Sequence, residues 1–440
     1  MLPALLGVLF ALSLALRSQT LTKSDRELAE SMLRDADADV RRHYYDPNLH
    51  GVDWQSRVQE AKKNIATAQS VSAAVSEVAA LLDSLHDSHT FLVLPPRTHI
   101  HDYGFQMEMF GERCFVIRVR SGSDAEKKGL KPGDEIVAVN EYPVSRKNFL
   151  RIVYILNVLQ PQPGLRLTLS DVNGHQRQLD VLAKFQPSNV NRYFLHQGIN
   201  VRVRDADAER LLLRARYFEK GDDLLVLKIP ELEFSASEVD DIIGKMRAHK
   251  GVVLDLRGNP GGYKETLERL LGGLFQYDLK VYDRVGRNST KSVSITGRHH
   301  DAFTGRLAVL IDSESASASE LLARVVQLER RGFIVGDRSS GRVMEARLYP
   351  HEVSLDSPVS YSMEVTEADL VMTDGRSLEH VGVVPDILIL PTDQDMANKR
   401  DPALAKAAGL VGVHLSSEEA GTILPYEESG QFQTTLSLND

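Results

Sequence analysis

Between about residues 223 and 392 the chain keeps one rhythm that restricts its fold more than any other feature. LLVLKI, GVVLDL, RLAVLI and FIVG are unbroken apolar runs. They lack the polar alternation of a strand with one wet face, so they read as strands covered on both sides. Helical patterns separate them. Ser235 opens one, with Glu238 at capping-box spacing and Val239, Ile242, Ile243 and Met246 on one face. TLERLLGGLF and SELLARVVQL are two more. Alternation of this kind predicts an α/β fold with much of its sheet buried.

The remainder divides by pattern. At 440 residues the chain is long enough for two or three domains. Residues 21–98 read as a helical region. Ser24 and Glu27 have capping-box spacing, and SVSAAVSEVAALLDSLH is amphipathic until His86-Asp87-Ser88-His89, after which TFLVL reads as a strand. Residues 100–183 carry short strands (CFVIRV, EIVAVN, LRLTLSD), a small helix at SDAEKKG and a longer one at SRKNFLRIVYIL. Turns fall at Lys131-Pro132-Gly133-Asp134 and Asn173-Gly174. Residues 184–222 are a connector without a clear pattern, and 393–440 a polar tail with helical patches.

At the front, the apolar run Leu2–Leu16 is short for a membrane span, and Ser13-Leu14-Ala15 suits signal cleavage. Residues 1–20 are therefore expected to be a secretory signal, giving an exported protein, membrane-anchored if uncleaved; a buried helix is the remaining alternative. The net charge of -9 argues against nucleic acid as a partner. The single cysteine, Cys114, rules out an internal disulfide and cysteine-ligated zinc, and reads as a small buried hydrophobe. Gly336-x-x-x-x-Gly341-Arg342 has the spacing of a phosphate-binding loop but lacks its Lys-Ser/Thr. His299-His300-Asp301 has no evident third ligand, so neither metal nor cofactor is expected.

Two segments carry chemistry. LDLRGNPGGY brings a buried strand to a turn with Gly258, Gly261 and Gly262. Ligands of α/β sheets bind beyond such strand ends, and glycines let backbone N–H groups approach a developing oxyanion. IDSESASASELLA delivers a strand to a serine-rich turn before a helix, where the macrodipole favours negative charge. The plain alternative is N-capping, with Ser317 as the cap and Glu320 completing a capping box.

GLKPGDEIVAVN (Gly129–Asn140), with YGFQM (Tyr103–Met107) upstream, resembles the PDZ domain. The resemblance implies a groove in which an extended peptide adds to an edge formed by Tyr103, Gly104, Phe105 and Gln106, beside the helix Lys147–Leu156. Followed by LDLRGNPGG, SESASASE, VGDRSSGR and GVVPD, it resembles the C-terminal processing, or tail-specific, serine protease family over about 103–392. This implies a crotonase/ClpP-like α/β protease core, here residues 223–392, with an inserted PDZ domain and an N-terminal helical region. Ser317 would be the nucleophile, and Ala318 with Gly261 or Gly262 the oxyanion hole.

The position of that family's lysine base is Arg342 here, and its glutamine position is Ala346. Arginine stays protonated and cannot serve as a base. The tricorn-like branch offers another route. DSHT resembles its histidine motif, making His89 the base, and LEHVGVVPD resembles its glutamate segment, making Glu379 the acid that orients the imidazole. Ser88 and Arg342 are auxiliary candidates: Ser88 to position the acid, Arg342 to anchor a peptide carboxylate or to bind Asp337. The reading is a serine endopeptidase acting on extended polypeptides through an acyl-enzyme, its substrate presented by its C-terminus to the PDZ groove. The alternatives are a catalytically inactive peptide-binding protein on the same fold, and a thioester-acting enzyme on a crotonase-like fold.

Overall fold

The computed structural model describes residues 21–95, 99–171, 174–187, 215–354 and 358–423. The expected signal in 1–20, most of the connector and Asn173 lie outside the described residues.

Three helices, Lys23–His43, Trp54–Thr67 and Val71–Asp83, form the N-terminal region. Their apolar stripes bury Met32, Val40, Trp54, Ile65, Val78 and Leu82. The bundle closes on Tyr361, Met363 and Val365 of the long strand Pro358–Met372, to which the short strand Phe91–Val93 pairs antiparallel. The first helix starts earlier than the spacing of Ser24 and Glu27 predicts. Thr22 is the cap: its Oγ1 accepts from Asp25 N at 3.1 Å, and Asp25 Oδ2 accepts from Thr22 N at 2.9 Å. Ser24 falls inside the first turn because Thr22-x-x-Asp25 satisfies the same reciprocal pattern two residues sooner.

The second unit is an antiparallel sheet in the order Phe105–Phe110, Arg113–Val119, Glu135–Val139, Gly164–Ser170, Gln176–Leu182. Its core holds Met109, Val116, Ile136, Leu167, Leu169 and Cys114, whose thiol burial pushes far above its ordinary pKa. The long helix expected near its middle is Phe149–Tyr154, continued by a π turn Ile155–Leu159. Phe105–Phe110 is an edge strand, yet Phe105 to Met109 are all buried. The next unit covers part of it. Ser313 Oγ donates to Met109 O at 2.6 Å, and Asp337 Oδ2 accepts from Gly111 N at 2.8 Å and from Arg146 at 2.9 Å.

The third unit has a six-stranded sheet in the order Arg216–Lys220, Leu224–Lys228, Gly251–Asp255, Arg306–Ile311, Phe333–Gly336, Ile387–Leu388. Its pairings are parallel except the first, and the four apolar runs read from the sequence are its middle strands. Helices Ala236–Arg247, Lys264–Leu274 and Ala318–Leu328 cover one face. The other face is covered by Leu404, Ala407, Ala408 and Val411 of Pro402–Leu410, with Ala420 of Ser417–Thr422. The segment read as a polar tail is therefore structural as far as it is described, and Asp401 pairs with Arg257 at 2.8 Å. A second sheet joins Phe91–Val93, Met344–Ser354, Pro358–Met372, Leu279–Gly286 and Thr290–Ile295.

Candidate active site

Strands Gly251–Asp255 and Arg306–Ile311 run parallel and adjacent, so the turns that follow them emerge side by side at their carboxyl ends. Hydrogen bonds weld the two turns together. Asp312 Oδ1 accepts from Gly258 N at 2.9 Å and Ser315 N at 2.9 Å. Ser315 Oγ donates to Leu256 O at 2.9 Å, while Asn259 O accepts from Ala316 N at 2.9 Å and Ser319 Oγ at 2.9 Å. Ser315 and Ser319 are thus fully buried structural groups. Ser317, between them, is half-buried and stands immediately before helix Ala318–Leu328.

Ser317 has φ 55° and ψ -120°, a left-handed conformation that costs a non-glycine residue of order 1–3 kcal/mol and clusters at functional sites. Its N–H donates to Arg342 O at 2.9 Å and to Glu320 Oε2 at 3.0 Å. Gly261 lies against it: a Cβ at Gly261 (φ 108°) would fall 2.7 Å from Ser317 Cβ and 3.0 Å from Ala318 N. Of the expected oxyanion donors, Gly261 thus lies against the serine and Ala318 follows it in the chain. Gly261 N–H is already donated to Asn259 Oδ1 at 2.8 Å. Among the described residues, Ala318 N–H and Gly262 N–H donate to no protein acceptor, which leaves those two for a ligand.

The second half of the site comes from the helical region and the segment before the last strand. Ser88 Oγ lies 2.7 Å from His89 Nδ1 and donates to Glu379 Oε2 at 2.9 Å. Ser88 N and Val343 N donate to the same carboxylate at 2.9 Å each. Glu379 thus reaches the imidazole through Ser88. With its proton given to Glu379, Ser88 Oγ has lone pairs left to accept a ring Nδ1–H. Burial, followed by the charge of Asp87, raises the pKa of Glu379, opposed by His380 and the two N–H donors. Asp87, which the sequence reading did not single out, secures the segment. It accepts from His89 N at 2.7 Å, Thr366 Oγ1 at 2.6 Å and Tyr44 OH at 3.0 Å.

One peptide unit links the halves. Arg342 O accepts from Ser317, and the next N–H, of Val343, donates to Glu379. The Arg342 side chain makes no hydrogen bond or ion pair among the described residues, and Asp337 is taken instead by Arg146. The guanidinium's charge does reach Glu364, which is 3% exposed. Burial pushes that carboxyl up to about 8, against the pull of Arg342. Glu320, Asn259 and Ser339 are further site residues whose roles the sequence did not disclose. Asn259 has no exposure and donates to Ile229 O at 2.9 Å, pinning the glycine turn.

In the PDZ-like unit, Tyr103 OH donates to Gln162 O at 2.9 Å, Gly104 O accepts from Arg120 N at 2.8 Å and Phe105 pairs with Val119. A Cβ at Gly104 (φ 74°) would fall 2.4 Å from Ser123 Cβ, so this bend demands glycine. Tyr103, Gly104, Phe105 and Gln106 therefore sit at the head of the edge strand. Among the described residues no group of three or more His, Cys, Asp and Glu is placed to hold a metal ion.

Residues 223–389 match Peptidase family S41, and residues 96–156 match the PDZ domain. The chain is 23% identical over 368 residues to carboxyl-terminal-processing peptidase 3, chloroplastic, of Arabidopsis thaliana, covering 79% of this chain and 66% of that one. It is 26% identical over 349 residues to the tail-specific protease of Haemophilus influenzae, covering 72% and 46%. The chain thus spans less than two thirds of the length of either relative. Its fold is shared with the crystal structure of mature CPAF, at TM-score 0.63 and 15% identity over 84% of this chain and 94% of that one. The chain accordingly carries a PDZ match followed by a Peptidase family S41 match, and these relatives are a carboxyl-terminal-processing peptidase and a tail-specific protease.

Proposed function

We propose that this chain is a serine endopeptidase that cleaves extended polypeptides through an acyl-enzyme on Ser317, with His89 as its base. The observation that carries the reading is the meeting of three separate segments through the Arg342–Val343 peptide: the strained Ser317, the Ser88–His89 pair and Glu379. His89 Nε2 takes the Ser317 proton as Oγ attacks the scissile carbonyl, and the proton passes to the leaving amine when the C–N bond breaks. Glu379, acting through Ser88, stabilises the imidazolium. The N–H groups of Ala318 and Gly262 receive the carbonyl oxygen as it becomes negative, and water then hydrolyses the ester. This chemistry belongs with the tricorn-like branch on a crotonase/ClpP-like core. It is favoured over a lysine base because Arg342 occupies the lysine's position.

The segment from Tyr103 to Gln106, at the head of edge strand Phe105–Phe110, is the proposed receiver of the substrate's C-terminal stretch, and Leu2–Leu16 the proposed export signal. Incubation of the purified chain with an unfolded polypeptide tests the function. The expected result is discrete fragments from the native chain and none from Ser317→Ala. Equal digestion by both would assign the cleavage to something else.

A further inference from the structure

The third residue of the helix that follows Ser317 is a carboxylate without solvent exposure. Glu320 Oε2 accepts from Ser317 N at 3.0 Å and Arg342 N at 2.9 Å. Its Oε1 accepts from Gly341 N at 2.8 Å and Ser339 Oγ at 2.5 Å. Ser339 Oγ in turn accepts from Val383 N at 2.6 Å. A capping box would account for the bond to Ser317 alone. The other three donors come from the 339–342 turn, whose next residue, Val343, holds Glu379. One carboxylate thus reinforces the direct bond from Ser317 N to Arg342 O, tying the Ser317 backbone to the turn that carries the other half of the site.

Charged neighbours do not explain this arrangement. Among the described residues Glu320 makes no ion pair. Arg324, on the same helix, pairs with Asp374. The Arg342 side chain turns its charge towards Glu364, and Glu379 and His380 lie on the segment beyond. Asp312 and Glu314, ahead of the serine, are acids like Glu320 itself.

We propose that Glu320 is a positioning residue for the reaction proposed above, and that only its ionised form holds Ser317 in the attacking conformation. Four donors occupy four lone-pair sites. A proton on the carboxyl would bring a fifth hydrogen into that space and expel one of them. Loss of the Glu320 bond would leave the Ser317 N–H on Arg342 O alone, and Arg342 belongs to the same 339–342 turn that Glu320 holds, so the residue could relax from φ 55°. Burial supports a transition in the working range, since it pushes the carboxyl up to about 7 in spite of its four donors.

The inference rests on Ser317 being a nucleophile, and the experiment separates the two claims. The rate of fluorophosphonate labelling is followed by intact mass against pH for the native chain and for Ser339→Ala. Among the described residues Ser339 makes no hydrogen bond to Ser317 or His89, but loss of its hydroxyl deprives the carboxylate of one charge-assisted donor. The acid limb should then move to higher pH by about one unit, so that labelling near pH 6 falls about tenfold relative to each protein's own plateau. A limb set by His89 alone would stay in place, and that result overturns the inference while leaving the peptidase intact. Absence of labelling in the native chain at every pH refutes both. Glu320→Gln, checked for folding by circular dichroism, supplies a second arm. It cannot offer four acceptor sites, so labelling should be at least about tenfold slower across the pH range; a native rate would also overturn the proposal.

Discussion

Replacing Ser88 by alanine isolates the link between acid and base. In the native chain Ser88 Oγ bridges His89 Nδ1 at 2.7 Å and Glu379 Oε2 at 2.9 Å. The substitution removes both bonds but leaves Ser88 N on Glu379 Oε1 and Val343 N on Oε2, so the carboxylate keeps two of its donors. What disappears is the stabilisation of the imidazolium and the tautomer preference of the ring. A hydrogen bond to a charged partner is worth about 1.5–3 kcal/mol. At about 1.4 kcal/mol per factor of ten, kcat should fall roughly 10- to 150-fold. KM should change little, because the hydroxyl is engaged by the ring and the acid. The assay is steady-state hydrolysis of an internally quenched peptide, with thermal unfolding alongside to show that the fold survives. A kcat within twofold of native would refute the relay and return His89 to a role independent of Glu379.

Three further outcomes follow from the geometry. Gly261→Ala would place a methyl 2.7 Å from Ser317 Cβ at φ 108°, so labelling of the serine should drop at least about 100-fold, the scale of a lost oxyanion donor, as read by intact mass. Arg342→Ala should retain hydrolysis within about tenfold, whereas His89→Gln should lose about 100-fold or more, the usual contribution of a general base; the reverse order in a rate comparison would transfer the base role. Glu108, in the edge strand of the PDZ domain, is held well above the usual carboxylate range by burial first and then by the charges of Asp312 and Glu314, with Arg257 opposing. A carboxyl raised on folding contributes fully below its unfolded pKa, and that contribution is lost as pH climbs towards its folded value. Glu108→Gln should therefore flatten the decline in Tm between mildly acid and mildly alkaline buffer, and an unchanged slope would contradict it.

The parts legible in the sequence are those where burial imposes a pattern. LLVLKI, GVVLDL, RLAVLI and FIVG could be read because a strand covered on both faces admits no polar alternation. Ser317 stood out through the resemblance of SESASASE to a protease-family motif, since the turn by itself also reads as an N-cap. The packing of Pro402–Leu410 was hidden: Ala403, Ala407 and Ala408 make a stripe so small that it reads as ordinary helix. Ser24 and Glu27 matched the capping spacing, but the helix is capped two residues earlier by Thr22 with Asp25, a pairing the sequence reading did not take up.

In the site, residue types were visible but long-range bonds were not. Ser88 reaches across 291 positions to Glu379, and Arg146 claims Asp337 from 191 positions away, displacing the nearer Arg342. The orientation of the Gly261 N–H towards Asn259 is a backbone property that no side-chain pattern announces. For the same reason the four donors on Glu320 looked like a simple cap.

The proposed reaction makes Ser317 nucleophilic through His89, and stoichiometric labelling with a fluorophosphonate followed by peptide mapping measures this directly. It predicts one adduct, on Ser317, formed at least about 100-fold more slowly in His89→Gln. An adduct on another residue, or equal rates in the two proteins, would contradict it.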